Sequence, residues 1–252
     1  MFLGALTDKA QQSFFLELAR LVAITEGDVA AFEESIDWSN AGSPTLAHFY
    51  KQMIDAMTSE TERQKFHALV SELGYSASSM PFNTLHRSYA RHGSSRPSTE
   101  DFDESVGLSE KLSSVFANAI KAKGADPELT KRVLNNLIEH GIELSEINNT
   151  LVKIKLSLMP EIREPALLAL VDDIFARRQE AVQTLTLPER KAIMLELTAM
   201  GDVSGSMEPI ERKILEHIQQ GLGLDVEFLD EAAGIVQKIN AASLEAFELI
   251  TE

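Results

Sequence analysis

Cysteine is absent from all 252 residues, which excludes disulfides, thiol catalysis and thiolate metal sites. Basic residues are scarce beside acidic ones: 23 Lys and Arg face 39 Asp and Glu, a formal charge of -16. A surface so poor in positive charge matches neither nucleic-acid phosphate nor an anionic membrane, so no nucleic-acid partner is expected. Long apolar runs are missing too, and no stretch approaches the roughly 18 residues of a membrane-spanning helix. The opening Met1–Asp8 has no basic leader and its apolar run stops at once. No signal peptide is expected there, and the cytoplasm is the expected location. The six histidines (His48, His67, His86, His92, His140 and His217) form no His-Glu-x-x-His pair. Neither a Gly-x-Ser-x-Gly elbow nor a phosphate-binding glycine loop occurs.

What is present is helical. Apolar residues make up 44% of the chain and aromatics only 6%, with a mean hydropathy of -0.08. Ala, Leu and Glu are abundant, a mixture that favours helix. Apolar residues recur at helical spacing through Phe14, Phe15, Leu18, Leu21 and Val22, with Thr7 as expected cap and Gly27 as stop. A short helix is expected from Val29, a loop over 38–42, and a helix opened by Ser43-Pro44. Another follows Thr58 or Ser59 and ends at Gly74, and one more spans 81–92. Asp126-Pro127 and Gly141 bound the next; Ser145 starts one that Met159-Pro160 ends; Pro165 opens one running to about Val182. Thr186 begins a further helix and Asp225 caps the last. No sustained period-two alternation marks a strand, so the expected fold is all-α. The polar stretch 94–107 is the expected linker, dividing domains 1–93 and 108–252, unless it is a long surface loop within one helical domain.

The chain nearly repeats its opening about 180 residues later. Leu6-Thr7, Leu16-Glu17-Leu18, Gly27, Val29 and Glu33 are matched by Leu185-Thr186, Leu195-Glu196-Leu197, Gly205, Met207 and Glu211, with one residue deleted between Leu18 and Gly27. This pattern of a long amphipathic helix, a glycine turn, an aliphatic residue and a glutamate resembles the TerB-like (tellurite-resistance) helical family. The likeness covers roughly 1–37 and 185–232, and the C-terminal unit as a whole would span 185–252. It implies two TerB-like units bracketing a helical middle. The family's turn carries Asp before Gly, whereas Glu26 and Ser204 stand at that place here.

Two readings of the turns stay open. In one, Glu26, Asp28 and Glu33 converge on a divalent cation, since hard cations take several oxygen ligands; Ser204 makes the second turn the poorer site. In the other, Gly27 and Gly205 supply positive φ, Asp28 and Ser206 cap the next helix, Val29 and Met207 fill space, and Glu33 and Glu211 answer the helix dipole. An EF-hand is excluded by spacing. Glu17 and Glu196 could pair as acid and base, but read more simply as exposed helix positions. A basic patch of His86, Arg87, Tyr89, Arg91, His92 and Arg96 fits a solvated face better than a phosphate site, and Arg177-Arg178 answers a helix C-terminus. No motif points to catalysis. The resemblance implies a non-catalytic binding module of stress-response or phage-defence type with a protein partner. The alternative is an assembly protein docking on a larger complex through helical faces, and a metal-assisted hydrolase stands third.

Overall fold

The computed structural model describes residues 3–25, 29–57, 60–73, 104–123, 126–201 and 207–251. After a 3-10 turn (Leu3–Ala5) come α1 (Lys9–Thr25), α2 (Val29–Ser35), α3 (Leu46–Met57), α4 (Glu60–Glu72), α5 (Glu104–Lys123) and α6 (Pro127–Glu139). Then follow α7 (Asn149–Leu158), α8 (Pro160–Arg177), α9 (Gln179–Thr184), α10 (Leu187–Gly201), α11 (Pro209–Gly221) and α12 (Phe228–Thr251). The protein is all-α, with no strand among the described residues. The expected helix over 81–92, the basic patch within it and the linker up to residue 103 lie outside the described residues.

The chain forms two compact units, each assembled from separated stretches. One holds the 3-10 turn, α1, α4, α8 from Val171 onward, and α9 to α12; the other holds α2, α3, α5, α6, α7 and α8 up to Leu170. This partition differs from the contiguous 1–93 and 108–252, and Glu104–Gly107 of the expected linker open α5.

In the first unit α10 is the hub, packed by α1, α11, α12 and the 3-10 turn. Ile193, Met194, Leu197 and Met200 are buried on it, at the helical spacing of one broad face. Its buried Thr198 hydroxyl donates to the Met194 carbonyl at 2.8 Å, which satisfies a polar group in the core. Lys65 of α4 donates to the Ala199 carbonyl in the last turn of α10, where cationic donors are favoured. Phe14 of α1 meets Phe175 of α8 edge-on at 5.1 Å. Gly221, ending α11, lies so close that an added Cβ would come 2.6 Å from the Phe175 ring.

In the second unit α3 buries Phe49, Tyr50, Met53 and Ile54. Phe49 faces Phe32 of α2 at 5.8 Å, and Tyr50 stacks on Phe116 of α5 at 5.1 Å. The buried Ser157 hydroxyl donates to the Lys153 carbonyl, so the Tyr50 hydroxyl must be the donor in their 2.8 Å bond. Burial pushes the Tyr50 phenol above its ordinary range.

Several boundaries differ from expectation for local reasons. Asp8, not Thr7, caps α1: its carboxylate accepts from the Ala10 and Gln11 amides. The helix expected at Ser43-Pro44 starts at Leu46, with the Thr45 hydroxyl accepting from the His48 amide. Asn148 rather than Ser145 caps α7, accepting from Thr150 and Leu151. Pro165 lies inside α8, which began at Pro160. That helix breaks at Arg178, and α9 is separate. Asp225 stands in the turn before α12, its carbonyl accepting from Phe228.

Gly141 ends α6 as expected, at φ +83°, a conformation in which a Cβ is strained. Gly234 lies within α12, with nothing within 4 Å of an added Cβ. Gly141→Ala should therefore destabilise by about 1 kcal/mol, while Gly234→Ala should stabilise by roughly 0.5 kcal/mol. Thermal melts of the two variants beside wild type give the test; equal melting temperatures would remove the positive-φ argument.

Candidate functional site

Sequence reasoning placed candidate chemistry at the glycine turns. Glu26, Gly27, Asp28 and Gly205 lie outside the described residues, so the cation question turns on their described neighbours. Val29, half-buried, opens α2, and Met207, also half-buried, stands two residues before α11. Glu33 and Glu211, equivalent in the near-repeat, do different work.

Glu211 is 1% exposed and sits in the first turn of α11. Its carboxylate accepts from the Glu208 amide at 2.7 Å, satisfying one of the donors a helix start leaves open. Glu189 does the same for the Thr186 amide and hydroxyl at the start of α10, at 2.6 and 2.7 Å. The second turn's glutamate is a backbone cap.

Glu33 lies two residues deeper in its helix, on α2 of the second unit, and meets a buried lysine. Asn148 starts α7, and Leu151, Ile154, Leu156 and Leu158 are buried on it together with Lys155 and Ser157. Lys155 lies on the buried side of this helix, away from exposed Asn149 and Lys153, and cannot carry its charge out to water. Lys155 is 1% exposed, and its ammonium donates to the Glu33 carboxylate. It also lies 5.0 Å from the centroid of the Trp38 ring, within cation–π range. His140, just past α6, meets the same indole at 5.5 Å, ring edge to face. Its Nδ1 is 2.8 Å from the Asn136 carbonyl, which makes Nδ1 the donor, and its Nε2 is 3.9 Å from Glu33. The buried Trp38 Nε1–H finds no acceptor among the described residues.

Burial pushes the Lys155 ammonium down, to about 8, because the charged form loses its hydration. The Glu33 carboxylate is the counter-ion beside it. Removing one partner of such a pair strands the other charge, at a cost of about 3–5 kcal/mol. A cation at the first turn would have to compete with this ammonium for Glu33. Among the described residues, no group of three or more His, Asp or Glu is arranged to hold a metal ion.

Two other expected acids are less exposed than the sequence implied. Glu17 of α1 is clamped by Arg178, whose Nε and Nη2 lie 2.8 and 2.5 Å from Oε1, and by Arg177 at 3.0 Å from Oε2. The two arginines thus tie α1 to the α8–α9 junction, rather than only answering a helix end. Glu196 is 5% exposed on α10. Sequence reasoning missed Lys155 and Trp38 altogether. The signal was available: Lys155, between Ile154 and Leu156, falls on the side of its ten-residue helix away from the polar positions Asn149, Thr150 and Lys153.

The pH dependence follows from the lowered Lys155. Between about 8 and 10.5 the unfolded chain holds this proton and the folded chain releases it, so folding stability gains with rising pH across that window. Comparing chemical denaturation of wild type and Lys155→Met from pH 7.5 to 10.5, wild type should gain relative to the variant as pH rises. Parallel curves would show an unperturbed lysine. No family model, curated protein or solved structure matches this chain.

Proposed function

We propose that this chain is a non-catalytic helical binding module of TerB-like type, acting in the cytoplasm in stress response or phage defence through a protein partner. The near-repeat around Gly27 and Gly205 supports the family reading. The observation that carries the binding reading is on α12. Its first turns are anchored by buried Leu229, Ala232 and Val236, whereas Leu249 is 78% and Ile250 82% exposed. Exposed aliphatic side chains together on one helix end are what a docking surface offers. The conspicuous ionisable groups of the described residues already have internal work: Lys155 on Glu33, Glu211 on a helix start, Glu17 on two arginines. That distribution favours binding over catalysis. With Glu33 held by Lys155, the cation is left out of the reading. No described helix is long and apolar enough to cross a membrane.

The alternative, an assembly protein that is a permanent part of a larger complex, rests on the same exposed helix end. Purified alone, a binding module should stay folded and monomeric, and Leu249→Ser with Ile250→Ser should leave its melting temperature within about 2 °C, as for exposed sites generally. The same double variant should lose a stoichiometric protein partner that wild type retains when isolated from its host. A chain that aggregates unless the complex is present would favour the assembly reading. Partner retention by the double variant would contradict both.

A further inference from the structure

We draw no further inference here: the strongest candidate, the polar cluster of Trp38, His140 and Lys155 around Glu33 in the second unit, where the buried Trp38 Nε1–H finds no acceptor among the described residues, belongs to the site already described.

Discussion

The buried side of a helix has to answer for every charge it carries, and in this protein that constraint falls hardest on Lys155. The apolar residues of α7 bury one side of the helix, and the lysine goes in with them. An ammonium taken out of water is tolerated only beside a carboxylate with good geometry. Glu33 supplies it from α2, a helix of seven residues that is too short to stand on local hydrogen bonds. The pair and the Phe32–Phe49 contact together keep α2 in place, and the indole of Trp38 lines the same pocket of charge. The order of dependence runs from the buried side of α7, to the counter-ion, to the helix that brings it.

The two copies of the near-repeat show how little a short pattern dictates about use. α2 begins at Val29, whereas α11 begins at Pro209, two residues beyond the equivalent Met207. That offset moves the matching glutamate from the second turn to the first. In the first turn the nearest partner is an open backbone amide, and Glu211 takes it. In the second turn no such donor is free, and Glu33 reaches a side chain instead. The first helices of the two copies, α1 and α10, pack together in one unit, while α2 belongs to the other.

Legibility in the sequence followed the strength of local chemistry. Asp126-Pro127 and Gly141 were readable because a cap with proline behind it and a positive-φ glycine act within a few residues. Met159-Pro160 was readable for the same reason. Ser145 misled because Asn148 has equivalent capping chemistry three residues on. Pro165 misled because proline favours a helix start, yet Ile162, Ala166, Leu167 and Leu170 are buried on both sides of it and carry α8 through. The candidate site was half legible. Glu33 could be singled out by pattern, but its partner is 122 residues away, and only the fold pairs them. The side of α7 on which Lys155 falls announced a buried lysine without naming the acid that would meet it.

The central claim is that Glu33 is the counter-ion of Lys155. A double-mutant cycle in chemical denaturation, with Glu33→Gln, Lys155→Met and both together, measures that coupling directly. Each single change should cost about 3 kcal/mol, and the double change should cost well under their sum, because it leaves no stranded charge. Costs that simply add would contradict the pairing and return Glu33 to its other reading, as a ligand at the first turn.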